Sequence, residues 1–222
     1  MLSGKRAAIL PLTLAGTLVI VASAANAPLQ RAERPTLYPK ELWVYNWEER
    51  KTSVDGPEMA GRTFSGKYQQ TLIARTRFRG QEAYVLQRDD GTFDVLTLDL
   101  WELARLYPDG EIGAVFELNA DLQFPLYVGR VYRRQWRNPL GHYQATYTYT
   151  VDSVEEIETP AGRLPAFRIS ETGHGSYDVG GTFTEWGKSY FAPTAKRFVH
   201  YLIETSTGYR FFLQLKTYQV LP

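Results

Sequence analysis

The stretch from Tyr143 to Asp152 alternates with a period that fits a β-strand. Tyr143, Ala145, Tyr147, Tyr149 and Val151 share one parity; Gln144, Thr146, Thr148, Thr150 and Asp152 share the other. Successive strand side chains point to opposite faces, so this pattern buries one face and wets the other. The β-branched and aromatic residues suit a pleated, half-buried surface. Thr159-Pro160-Ala161-Gly162 then reads as a turn, and Leu164 to Ile169 as the antiparallel return. A hairpin this long commits the chain to β architecture.

The same signal recurs on either side. Trp43, Tyr45 and Trp47 alternate within Glu41 to Ser53, and Tyr68, Leu72 and Ala74 share a parity within Gly66 to Arg77. Glu82 to Arg88, Thr92 to Leu98, Ala114 to Leu118, Tyr132 to Arg137, Thr182 to Phe191, Arg197 to Ser206 and Tyr209 to Gln219 add further strands. Asp55-Gly56-Pro57, Asp89-Asp90-Gly91 and the glycine-rich region Gly173 to Gly181 read as turns. Asp99 to Tyr107 is the one expected helix: Leu100, Leu103, Ala104 and Tyr107 follow helical spacing, and Asp99 with Glu102 resembles a capping box. Gly66-Lys-Tyr-Gln-Gln-Thr and Gly141-His-Tyr-Gln-Ala-Thr suggest an internal repeat, with chance similarity among β sequences as the alternative. The expected fold is all-β, a strongly curved antiparallel sheet or open barrel of about ten strands with one short helix.

The first residues read as an address. Lys5 and Arg6 precede the uncharged, mostly apolar run Ala7 to Ala22, and Ala22-Ser23-Ala24 and Ala25-Asn26-Ala27 both fit a small-x-small cleavage site. Residues 1–27 are therefore expected to be a secretory signal peptide, residues 28–40 an extended lead-in, and residues 41–222 a single β-domain. The run is shorter than the ~20 residues that span a bilayer. The expected location is periplasmic or secreted. Cleavage after Ala27 takes 27 from 222 residues and leaves 195, enough for one sizeable core. It leaves 23 basic against 24 acidic residues, a charge of −1, which offers no global field for nucleic acid. No cysteine is present, which excludes a lipobox, a disulfide and thiol catalysis. Fifteen Tyr, 11 Phe and 5 Trp supply the burial instead.

Candidate chemistry is sparse. His142, His174 and His200 lack metal-ligand spacing, so no metal or cofactor is expected. His174, Ser176 and Asp178 imitate a triad, but the nucleophile-elbow glycines are absent and an exposed turn is the better reading. Glu155, Glu156 and Glu158 flank a hairpin tip, where charges solvate the turn. Arg75, Arg77, Arg79 and Arg88, and Arg130, Arg133, Arg134 and Arg137, form basic stripes, read either as solvated faces or as a surface for an acidic partner.

Three motifs carry a resemblance. They are Phe124-Pro125-Leu126-x-Val128-Gly129 with Tyr132 and Trp136; Val154-Glu155-x-Ile157-x-Thr159-Pro160-Ala161-Gly162-x-Leu164-x-Ala166-Phe167-x-Ile169; and Ser189-Tyr190-Phe191-Ala192-Pro193 with Arg197-Phe198-Val199. Over residues 38–219 the chain resembles the TapB-like family of exported bacterial β-domains of unknown function. The resemblance implies an exported antiparallel β-domain, related to the half-barrel that carries lipoproteins across the periplasm, and no catalytic residues. Two departures stand out. Tyr190-Phe191 replaces Trp-Tyr, and Ala195-Lys196 stands where the pattern prefers glycine.

The functional expectation is a non-enzymatic binding protein. A hydrophobic or amphiphilic ligand such as a lipid would sit in the concavity of the sheet, against Trp101, Tyr147, Tyr149, Phe167, Trp186 and Tyr201. The alternative is a cell-envelope scaffold with a filled core and a protein or glycan partner.

Overall fold

The computed structural model describes residues 29–52, 58–140, 142–178 and 180–221. The expected signal peptide and the Asp55-Gly56-Pro57 turn lie outside the described residues.

Alternating apolar and polar residues form thirteen strands among the described residues. They are β1 (Leu42–Arg50), β2 (Thr63–Phe78), β3 (Gln81–Arg88), β4 (Phe93–Thr97), β5 (Glu102–Leu106), β6 (Ile112–Val115), β7 (Glu117–Ala120), β8 (Val131–Asn138), β9 (Tyr143–Thr159), β10 (Gly162–Tyr177), β11 (Thr182–Ala192), β12 (Arg197–Thr205) and β13 (Arg210–Gln219). All lie in one antiparallel sheet, ordered β6-β5-β4-β3-β2-β1-β13-β12-β11-β10-β9-β8-β7. The first and last strands pair in its middle, Trp43 opposite Tyr218 and Trp47 opposite Leu213. Its two edges, β6 and β7, are separated in the chain by Phe116 alone. Edges joined by one residue must lie close, so the sheet curls into a nearly closed barrel. The expected curved, all-β architecture is what forms, with more strands than expected because the segment from Asp99 to Ala120 divides into β5, β6 and β7.

The expected helix over Asp99 to Tyr107 is corrected to a turn followed by β5. Leu100 adopts a left-handed φ of 66°, its N–H donates to the Thr97 carbonyl at 2.9 Å, and Trp101 returns the chain to the ladder. A nine-residue helix is marginal alone. Here β4 needs a partner, and Arg105 Nε reaches Asp94 Oδ1 at 3.1 Å across β4 and β5. Asp99 is no N-cap; its carboxylate accepts the Phe124 N–H at 3.4 Å.

The glycine-rich region is also corrected. Gly173 to Tyr177 continue β10, and the turn itself spans Tyr177 to Gly181, closed by Gly180 N–H to the Tyr177 carbonyl at 3.0 Å. His174 is therefore a strand residue on the outer face, and its Nδ1 lies 3.5 Å from Thr184 Oγ1.

The barrel interior is packed. Trp43, Tyr45, Leu72, Leu86, Phe167 and Ile169 are among its fully buried side chains. Trp43 Nε1 donates to the Ala195 carbonyl at 2.7 Å, which pins the 3-10 turn Pro193–Ala195 over one end. Lys196 takes the left-handed φ of 56° that a glycine would favour. Its Nζ bonds the buried Glu41 carboxylate at 2.8 Å and the Leu221 carbonyl at 2.7 Å, tying the segments before β1 and after β13 to this turn. The lead-in is anchored too: Ala32 pairs with Leu126, and Leu37 is buried.

Candidate ligand site inside the sheet

Register decides which side chains meet. One row crosses the inner face as Tyr132, Tyr149, Glu171, Gly187, Ile203, Phe211, Glu49 and Phe64, on β8, β9, β10, β11, β12, β13, β1 and β2. The next row runs Arg134, Tyr147, Gly173, Glu185 and Thr205. Two glycines make the cross-strand contacts possible. A Cβ at Gly173 would lie 2.5 Å from the Tyr147 ring, so that ring lies flat over β10 and its hydroxyl donates to Glu185 Oε2 at 3.2 Å. A Cβ at Gly187 would lie 2.6 Å from Glu171 Oε1, the oxygen that accepts the Tyr201 hydroxyl at 3.0 Å.

Both carboxyls are held out of water. Glu171 is 2% exposed, and burial pushes its pKa up to about 7 against the pull of Arg134 and Tyr201. Burial and the neighbouring Glu171 raise Glu185 to about 8. Arg134, whose charge acts on both, is walled by rings. Its guanidinium carbon lies 4.7 Å from the Trp101 centroid, 5.0 Å from Tyr147, 5.5 Å from Tyr149 and 5.6 Å from Trp136. Tyr132 and Tyr149 stack at 5.0 Å, and Trp101 tilts against Tyr149 at 5.4 Å.

Besides Trp136 Nε1, four buried polar atoms in this cluster have no protein hydrogen-bond partner: Arg134 Nε, Trp101 Nε1, the Tyr149 hydroxyl and Glu171 Oε2. Buried polar groups are nearly always hydrogen-bonded, and leaving one unmade costs roughly 1–3 kcal/mol. Several orphans on neighbouring side chains therefore mark a region with hydrogen-bonding capacity to spare.

The structure brings Trp101, Tyr147, Tyr149 and Tyr201 to this cluster, while Phe167 shares the inner face deeper in the packed core. Trp186 is corrected: it stands on the outer face, 45% exposed, and its Nε1 donates to Glu204 Oε2 at 3.2 Å. It neighbours Gly187, and adjacent strand residues face opposite ways. Sequence reasoning misses Arg134, Glu171 and Glu185 as site residues. Arg134 belongs to a basic stripe in the sequence, yet the stripe divides between faces: Arg133 is exposed, while Arg134 lies between the inward residues Tyr132 and Trp136. That parity is the signal that could have found it. Glu171 likewise shares the parity of Phe167 and Ile169, and Glu185 that of Phe183.

Burial of the inner face falls off towards one end. Trp47, Phe64, Ile203, Phe211 and Leu213 are only half-buried, whereas Tyr132, Tyr147 and Tyr149 are buried. Two clefts lie elsewhere. One of about 580 Å³ is lined largely by outer-face polar residues, including Gln135, Gln144 and His174. The other, about 490 Å³, lies between β5 and β7 and reaches Trp101, the one candidate residue that lines either cleft. No group of three or more His, Cys, Asp or Glu side chains is arranged for a metal ion among the described residues.

No protein-family model matches the chain, and no curated protein matches it. The TapB-like resemblance thus has no matching family model behind it. Solved structures similar to the chain include three candidate exported proteins or lipoproteins. A candidate exported protein with a YmcC-like fold from Bacteroides fragilis has a TM-score of 0.48 at 11% identity, covering 85% of this chain and 99% of that chain. A candidate lipoprotein from Parabacteroides distasonis gives 0.47 at 9%, with the same coverage. The hypothetical lipoprotein YmcC from Escherichia coli gives 0.45 at 9%, covering 81% of this chain and 85% of that chain. Among the described residues, no helix is long and apolar enough to cross a membrane.

Proposed function

We propose that this chain is an exported, non-enzymatic binding protein that takes an amphiphile in the concave face of its sheet. The observation that carries this reading is the pairing of two inner-face features. Half-buried apolar side chains, Trp47, Phe64, Ile203, Phe211 and Leu213, interrupted by Glu49 between Phe211 and Phe64, lead to a buried cluster with unpartnered polar atoms. Tyr149 and Ile203 share one row and stand three strands apart, about 15 Å at ~4.8 Å per strand. An amphiphile has this polarity, with an apolar tail and a polar head. Glu171 and Glu185 have acidities suited to proton transfer, but each is engaged by a tyrosine, and neither bonds a serine or threonine hydroxyl. Binding is therefore the better reading. Export rests on the sequence of residues 1–27.

The test is native mass spectrometry of the protein purified from periplasm, with organic extraction of what it releases. A bound amphiphile at near-stoichiometric mass supports the proposal. A clean apo mass that persists after incubation with total envelope lipid overturns it. The envelope-scaffold reading would then take its place, favoured by the packing of Trp43, Tyr45 and Phe167 through the interior.

A further inference from the structure

Resting on the amphiphile reading, we propose that the head group taken by the inner cluster is a carboxylate, held by Arg134 with the Trp101 indole N–H and the Tyr149 hydroxyl. Three of the four unpartnered atoms are donors or can donate: Arg134 Nε, Trp101 Nε1 and Tyr149 OH. They belong to mutually adjacent groups, with Arg134 4.7 Å from the Trp101 ring, 5.5 Å from the Tyr149 ring, and those rings 5.4 Å apart. Tyr149 is 4% exposed and Trp101 8%.

Among the described residues Arg134 makes no ion pair within 4.0 Å, in contrast to Arg88, Arg105 and Arg168, each of which makes two. The carboxyls that feel its charge are already engaged. Glu102 bonds Arg105 at 3.1 Å, Glu185 accepts Tyr147, and Glu171 accepts Tyr201 through Oε1. Burial keeps Glu171 and Glu185 substantially protonated near neutral pH, so neither cancels the guanidinium fully. A protonated Glu171 also turns the fourth unpartnered atom from an obligate acceptor into a potential donor. A guanidinium edge presents parallel N–H groups that match the two oxygens of a carboxylate. An ammonium head would meet the like charge of Arg134, and an alcohol head would leave most of the donors unmet.

The experiment is a binding titration of the mature protein with dodecanoate, dodecanol and dodecylamine, which share a chain length and differ in head group. The expected result is dodecanoate bound about tenfold or more tightly than the other two. Tyr149→Phe keeps the ring and Trp101→Phe keeps an aromatic side chain, and each deletes one donor. Each should weaken dodecanoate roughly three- to tenfold and leave dodecanol unchanged. Dodecylamine or dodecanol binding as well as dodecanoate, or dodecanoate affinity untouched by both substitutions, overturns the carboxylate assignment while the amphiphile reading stands. Failure of all three probes to bind overturns both. Arg134→Lys, which keeps the charge in place of the fork, should fold and lose dodecanoate affinity.

Discussion

The two polar clusters inside this sheet are built from similar groups and finished differently. In the first, on β2 to β5, Asp94 is 3% exposed and both of its oxygens are used. Gln70 Nε2 donates to Oδ2 at 2.5 Å, Arg105 Nε to Oδ1 at 3.1 Å, and Arg88 stands 3.9 Å away. Gln70 is in turn held by Arg197 Nη2 at 2.7 Å. Arg88 Nε and Arg197 Nη1 have no hydrogen-bond partner, but Arg88 pairs with Asp90 and Asp94 at 3.9 Å, Arg197 bonds Gln70 through Nη2, and each stacks on a ring, Tyr68 at 4.4 Å and Trp43 at 5.2 Å. In the second cluster, on β8 to β12, Arg134 has rings but no ion pair, and Glu171 uses one oxygen of two. The contrast shows where function is to be sought. A network whose buried carboxylate is bonded through both oxygens specifies the fold, while one that leaves a carboxylate oxygen and an arginine without an ion pair leaves bonding capacity for something else.

The strongest test of this contrast is at Asp94. Asp94→Ala strands a buried glutamine amide and two arginines, and should cost about 3 kcal/mol, the lower part of the range for a broken buried pair because Arg105 is 43% exposed. A urea unfolding midpoint measures it; a loss under about 1 kcal/mol means that the network does not stabilise the fold. Next comes Gly175, two residues along β10 from Gly173 of the second cluster. At Gly175 a Cβ would stand 2.2 Å from the Phe183 ring and 2.8 Å from the Gln144 carbonyl oxygen. Gly175→Ala should therefore cost roughly 2 kcal/mol by thermal melting.

The pH dependence separates the two clusters more finely. Glu171 and Glu185 bind protons more tightly folded than unfolded, with pKa values of about 7 and about 8 against the ordinary 4.5 of a glutamate. Their ionisation therefore works against the fold: stability falls as pH rises from about 4.5 to about 8. A tenfold change in proton affinity is worth about 1.4 kcal/mol. Glu185→Gln, which cannot ionise, should flatten this slope and leave the variant about 1–2 kcal/mol more stable than the parent at pH 8. Equal stabilities of the parent in chemical denaturation at pH 5 and pH 8 would sink the assignment. The smallest effect belongs to Trp186 on the outer face. Trp186→Ala should change stability by no more than about 0.5 kcal/mol and leave amphiphile binding unchanged in the same titrations.

The legible part of the molecule was the local part. Tyr143 to Asp152, the Pro160-Ala161-Gly162 turn and the three last strands carry a period-two signal within a few residues, and β9 to β13 form where that signal lies. Asp99 to Tyr107 misleads because its short apolar spacing fits a helix as well as a strand; the choice falls to Asp94 and Arg105 across β4 and β5. The candidate site was half legible. Its tyrosines stand out, because aromatic residues announce burial. Arg134, Glu171 and Glu185 do not, because charged residues in a strand ordinarily face water.

That the chain is β, where most strands run and which face of each is apolar all follow from the sequence alone, since alternation is written residue by residue. That Arg134, Tyr149 and Glu171 share one cluster, and that Trp186 stands outside it, comes from the assembled sheet. Register between strands is a non-local choice, and a slip of one residue would turn every side chain to the opposite face.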